Sequence, residues 1–167
     1  MKTRSPASAL KKAVIRLRNG EILRGYLNPA LLEHHATVEL LTTEGAQKPV
    51  PMAEIYGVYF VREFGEIFEP ERKTFLSRPK LPGLWVRIRH ADGGECFEGV
   101  IENDLLGLLD RGIQFTPPDL NGPCTRIYLP RTSVKEITVL GLIGVSPRPQ
   151  RRPRPVAPPT LQRRLFD

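Results

Sequence analysis

"RLRNGEILRGYL" (Arg16–Leu27) places two glycines, Gly20 and Gly25, five residues apart inside an alternating apolar run. "RIRHADGGECFEGVI" (Arg87–Ile101) repeats the arrangement with Gly94 and Gly99 after the same Arg-apolar-Arg lead. An offset of 74 also pairs Glu21 with Glu95, Leu31 with Leu105 and Leu32 with Leu106. Downstream, "VPMAEIYGVYFV" (Val50–Val61) matches "LPRTSVKEITVL" (Leu129–Leu140) at an offset of 79. Matches in constant order and nearly constant spacing mark an internal duplication.

Each copy reads as short strands. Ile15 and Leu17 point to one face of the first strand and Arg16 and Arg18 to the other, the period-2 pattern of a half-buried strand. Asn19-Gly20 supplies the positive φ of a tight turn, and Asp92-Gly93-Gly94 does so in the second copy. Gly25 and Gly99 fall inside the returning strand, where glycine marks a bend or a close backbone approach. The pattern predicts third strands at Thr37–Thr42 and Gly112–Thr116, and fourth strands ending at Val50 and Leu129. Single helical turns follow at Met52–Glu54 and Arg131–Ser133, behind Pro51 and Pro130, then fifth strands at Tyr56–Val61 and Lys135–Leu140. The expected fold is mainly β: two tandem five-stranded small barrels, Sm-like or SH3-like.

The Asn-Gly-x-x-x-x-Gly phrase resembles the first signature of Sm-like proteins, and the two copies together resemble uncharacterised bacterial proteins built from tandem domains of that kind. The resemblance implies the barrel and excludes the family's uridine pocket. That pocket needs an Asp-x-x-x-Asn loop and an Arg-Gly or Lys-Gly pair; this chain has "NPALLEHH" and "ENDLLGLL" in the first place, "MAEIYG" and "RTSVKE" in the second.

The expected organisation is a basic arm (1–12), a first repeat (13–62), a connector (63–83), a second repeat (84–145) and a disordered Pro/Arg-rich tail (146–167). Phe64, Ile67, Phe68, Phe75 and Leu76 make the connector too apolar for a free linker, so it should pack across both barrels. The tail holds 6 of the 17 prolines, a composition of extended chain.

The net charge of +7 lies in the ends. Residues 1–12 hold four bases and no acid, and residues 146–167 hold six arginines and one acid, which leaves 15 bases against 17 acids between them. Attraction to nucleic acid would therefore come mainly from the arms. Arg16, Arg18, Arg24, Arg87 and Arg89 recur on matching strands. They read first as cross-strand partners of Glu21, Glu95 and Glu98, and second as a phosphate-contacting stripe extended by Arg148, Arg151, Arg152 and Arg154.

No nucleophile elbow, phosphate loop or zinc spacing is present, so no catalysis, cofactor or metal is expected. His34-His35 reads as a surface pair and Trp85 as packing. Cys96, beside Phe97, reads as a barrel residue, and Cys124, in "LNGPCTR", as the more exposed thiol. Two cysteines and no signal or membrane span point to the cytoplasm. A monomer or small homo-oligomer is expected. The terminal "QRRLFD" resembles the peptide by which bacterial polymerases and repair proteins dock on the DNA sliding clamp. That resemblance implies a rim hydrogen bond for Gln162 and an apolar pocket for Leu165 and Phe166. The function expected is a non-catalytic adaptor; the alternative is a nucleic-acid-binding module.

Overall fold

The computed structural model describes residues 9–144. Arg148, Arg151, Arg152, Arg154, Gln162, Leu165 and Phe166 lie outside the described residues, as do residues 1–8 of the N-terminal arm and all of the tail, 146–167. Ten strands carry the fold: β1 (Lys11–Leu17), β2 (Ile22–Leu27), β3 (Thr37–Thr42), β4 (Gln47–Pro51), β5 (Ile55–Val61), β6 (Gly83–His90), β7 (Cys96–Ile101), β8 (Gly112–Phe115), β9 (Cys124–Pro130) and β10 (Val134–Ile143). Single 3-10 turns at Met52–Glu54 and Arg131–Ser133 sit between β4 and β5 and between β9 and β10. Pro51 and Pro130 precede these turns, where a missing N–H costs no ladder bond to β3 or β8.

The mainly β class holds, but the two separate barrels do not form: neither half closes. Seven strands make one sheet in the order β4-β3-β2-β1-β5-β9-β8, and three make another in the order β10-β6-β7. Val100 and Thr116 join β7 to β8 by a single bridge with two 3.0 Å hydrogen bonds. The spatial order therefore runs from β4 to β10 without interruption, and in it each half arranges its five strands alike. The physical reason for the correction is that β5 gives its second edge to β9, a strand of the other half.

The likeness of the halves extends to their irregularities. Leu17 pairs with Ile55 and Arg16 with Gly57, which leaves Tyr56 as an extra residue; His90 pairs with Val134 and Arg89 with Glu136, which leaves Lys135. Both are bulges at the start of the fifth strand. Gly20, Gly93 and Gly94 have φ of +88°, +78° and +71°, as their turns require. Gly25 and Gly99 have no such φ and are there for space. A Cβ on Gly25 would collide with the Leu41 carbonyl, and one on Gly99 with the Phe115 ring.

Two cores result, and they interlock. One contains Ala13, Ile15, Leu17, Leu27, Leu40, Ile55, Val58 and Phe60, together with Tyr128 from β9. The other contains Val86, Ile88, Phe97, Ile113, Phe115 and Ile127, together with Val14, Tyr56, Tyr59 and Val61 from β1 and β5. All seven residues of β5 are buried, because each face of the strand serves a different core. In the connector, Phe64 packs edge-on to Tyr26 (5.4 Å), Phe68 to Tyr59 (5.1 Å) and Phe75 to Trp85 (6.2 Å), while Ile67 and Leu76 are exposed.

Replacing Gly25 or Gly99 by Val is expected to destabilise the fold by roughly 1–3 kcal/mol, read by urea denaturation. Tyr128→Ala empties a place in the first core and should cost about 3–5 kcal/mol. Interlocked cores also require that the loss appear as one shifted transition, and a separate early transition would refute the interlocking.

Candidate functional site

Two places carry chemistry: a polar cluster in the seam between the halves, and the free edge of β10. The seam cluster grows from the bulge at Tyr56. The Arg16 guanidinium lies 4.3 Å over the Tyr56 ring and 2.9 Å from Glu69, with Glu95 at 3.6 Å. Tyr56 donates its hydroxyl to Glu95, and Lys73 donates to the same carboxylate at 2.8 Å. On its other side Tyr56 stacks on His90, with ring centroids 3.6 Å apart and planes inclined by 13°. His90 is fully buried and fully satisfied: Nδ1 accepts the Asp92 N–H at 3.0 Å, so Nε2 carries the hydrogen and donates to the Tyr56 carbonyl at 3.0 Å. Arg18 continues the seam through Asp92 and, at 3.3 Å, Ser133.

The electrostatics are those of a clamp. Burial pushes the Glu95 carboxyl up, but hydrogen bonds from Lys73 and Tyr56 outweigh it and leave the group below the ordinary carboxylate value. Burial and the Glu95 hydrogen bond both push the Tyr56 hydroxyl far above its usual value, so it stays a neutral donor. Arg16, Tyr56, Lys73, Glu95 and His90 are each held by a partner, while the buried Tyr59 hydroxyl beside them has none among the described residues. Among the described residues no group of three or more His, Cys, Asp or Glu could hold a metal ion.

Arg16 and Arg18, read first as partners of glutamates and second as a phosphate-contacting stripe, lie against carboxylates across the seam: Arg16 by Glu69 and Glu95, Arg18 by Asp92. Arg24 reaches only the Gly65 carbonyl at 3.4 Å. Arg87 and Arg89 are exposed on β6, with Arg89 3.5 Å from Glu136. Glu98 does not pair with an arginine; it is buried and accepts from Trp85 Nε1 and the Phe75 N–H, both at 3.2 Å. His34 and His35 are exposed. The two cysteines are the reverse of the expectation. Cys96 is exposed, whereas Cys124 begins β9 with no exposed surface and burial pushes its thiol up to about 12. The sequence reading missed Tyr56, Glu69, Lys73 and His90. By strand register His90 stands where the first half has the core residue Leu17, whereas the sequence match of the two Arg-apolar-Arg leads sets Ile88 there; the two-residue shift hid a polar-for-apolar swap that needs hydrogen-bond partners.

The second place is defined by contrast with β5. Phe60 of β5 is 5% exposed beneath β9, and its counterpart Val139 of β10 is 57% exposed with no strand beyond it among the described residues. Beside β10 opens an apolar cavity of about 360 Å3, lined among others by Val86, Ile101, Leu108, Ile113, Ile137 and Val139. Leu105, Leu106 and Leu109, from the loop that supplies Leu108, are all more than 70% exposed.

These features define a mainly β protein of two interlocked five-strand halves whose outer edges, β4 and β10, pair with no other strand among the described residues. Residues 9–141 match a family described as a family of unknown function (DUF6982), and the chain belongs to it. No curated protein and no solved structure matches. No helix among the described residues is long and apolar enough to cross a membrane.

Two outcomes follow from the side-chain environments. Iodoacetamide applied to the native protein should modify Cys96 and reach Cys124 only after denaturation. Glu95 stabilises the fold fully above about pH 4.5 and loses that contribution as pH falls through its lowered folded value. The gap in melting temperature between the native protein and Glu95→Gln should therefore be widest near neutrality and shrink in acid; a gap independent of pH would contradict the clamp.

Proposed function

We propose that the protein is a non-catalytic adaptor: a rigid body of two Sm-like modules that presents one docking surface at β10 and a terminal peptide for the DNA sliding clamp. The observation that carries the reading is the unequal treatment of equivalent strands. β5 is covered on both faces and both edges, while β10, in the same place of the second half, has no strand of the described residues on its outer edge and an apolar cavity beside it that Leu108 helps to line. Exposed apolar surface beside an unpaired strand edge fits a protein partner better than a small-molecule substrate. The mutual hydrogen bonds of Arg16, Tyr56, Lys73 and Glu95 support a structural role for these groups. Gln162, Leu165 and Phe166 enter by sequence resemblance alone, and burying two apolar side chains would contribute roughly 1.5–3 kcal/mol each.

Phosphate contact is the second reading, favoured by a groove of about 440 Å3 that collects Lys11, Lys12, Thr125 and Arg126. Lys12 is already engaged with Glu63 at 2.7 Å, which weakens it.

The test sets the full-length chain against a purified bacterial sliding clamp, with the double variant Leu165→Ala, Phe166→Ala beside it. Micromolar binding that the double variant loses at least about tenfold is the expected result; equal binding by both, or none by either, removes the clamp from the reading. In parallel, titrations with uridine-rich and mixed single-stranded RNA at two salt concentrations should give weak, salt-sensitive and sequence-indifferent binding. Uridine-selective binding that resists salt would replace the adaptor with a nucleic-acid reader.

A further inference from the structure

The pairing of β9 with β5 is a template for what β10 can accept. The Arg131 N–H bonds to the Arg111 carbonyl just beyond the Gly112–Pro130 pair, which makes that pair a non-hydrogen-bonded one. By alternation Leu129 bonds to β8, and Tyr128 turns its main-chain groups to Val58 of β5. Val58 and Phe60 correspond to Ile137 and Val139, whose main-chain groups therefore face outward along the bare edge of β10. The edge is ready for a strand, and β10 contains no proline. The side chains repeat the relation. Tyr128 enters the first core from β9 and is buried among Val58, Phe60 and Ile55; the corresponding place in the second half is the 360 Å3 cavity.

A second copy of this chain is a poor occupant through the matching strand, β4. The Met52 N–H bonds to the Ala36 carbonyl, so the same alternation turns residues 47, 49 and 51 to the free edge of β4. Two of these are Pro49 and Pro51, which have no N–H to give, and Pro49 stands where β9 has Tyr128. Lys48 replaces the core residue Ile127. On β10, Lys135 and Thr138 replace Tyr56 and Tyr59, so that face is not built to be buried as β5 is. The chain's own tail carries six arginines, the same sign as the cavity rim. On that rim stand Arg131 and Lys135; Glu136 is taken by Arg89, and Lys135 has no ion pair among the described residues.

We propose that the outer edge of β10 receives an extended, acidic segment of another protein as an added antiparallel strand, one aromatic side chain of which fills the cavity. The proposal rests on the adaptor reading but is independent of the clamp, so either can fail alone. Main-chain pairing supplies the hold, the cavity fixes register, and Arg131 and Lys135 select the charge of the flanks.

The probe is a labelled peptide, Asp-Glu-Thr-Ile-Tyr-Leu-Glu-Asp, which sets the Ile-Tyr-Leu of residues 127–129 between acidic ends. With the full-length chain it should bind, protect the Ile137 and Val139 amides from hydrogen exchange, and weaken at least about tenfold when its Tyr becomes Ala. Val139→Pro removes one outward N–H and should abolish binding. Lys135→Glu, a change confined to an exposed side chain, should shift preference to the same peptide with lysines in place of its acidic residues. No binding, binding unaffected by either variant, or Ile137 and Val139 amides already protected in the chain alone would overturn the proposal. The last result would assign the edge to the tail or to a second copy.

Discussion

A single strand, Ile55–Val61, is buried on both faces, and the rest of the structure depends on that. Its Ile55, Val58 and Phe60 complete the core of the first half, and its Tyr56, Tyr59 and Val61 complete that of the second. Units of some 50 residues bury too small a fraction of their surface to be comfortably stable alone. Sharing one strand gives each half a wall it does not have to supply itself. The exchange is mutual, since β9 returns Tyr128 to the first core. Crowding at the crossing explains Gly57 as well: a Cβ there would sit 3.2 Å from Leu129.

The seam is held by polar as well as apolar contacts, and the two differ in what they specify. Apolar burial between β5 and the second half tolerates small shifts in position. The Arg16–Tyr56–Glu95–Lys73 set does not, because each partner must meet hydrogen-bond geometry at once. His90 adds a buried ring with both nitrogens satisfied, which locks the turn after β6 to the bulge of β5. The polar cluster thus fixes how the halves sit, while the cores supply most of the stability.

Much of the fold was legible because the signals were local. Period-2 alternation placed the strands within a residue or two, except that β10 runs three residues past the expected Leu140, and the turn glycines at 20, 93 and 94 have the backbone they predicted. Edge pairing was not legible: β5 and β10 carry the same pattern, and which one finds a neighbour depends on strands some 70 residues away. The cysteines failed for a narrower reason. In a strand a displacement of one residue reverses inside and outside, and Cys96 was assigned the face that Phe97 holds. Cys124 was read as loop although it opens β9. The arginines were legible in part: Arg16 does lie 3.6 Å from Glu95, one of the partners first expected, but its shorter contact is Glu69 of the connector, which charge patterning along one strand cannot reach. Even paired letters part company: Leu32 is buried, and Leu106, its match in the repeat, is exposed.

The shared strand also sets an order in time. During synthesis β5 leaves the ribosome well before β9 exists, and chains grow at roughly 5–20 residues per second. For several seconds the nascent first half shows water the surface formed by Tyr56, Tyr59 and Val61, together with an unpaired β5 edge. That edge has no proline to guard it, unlike β4 with its Pro49. The newborn chain is therefore most prone to wrong partners midway through translation, and its second half serves as the first protector of its first.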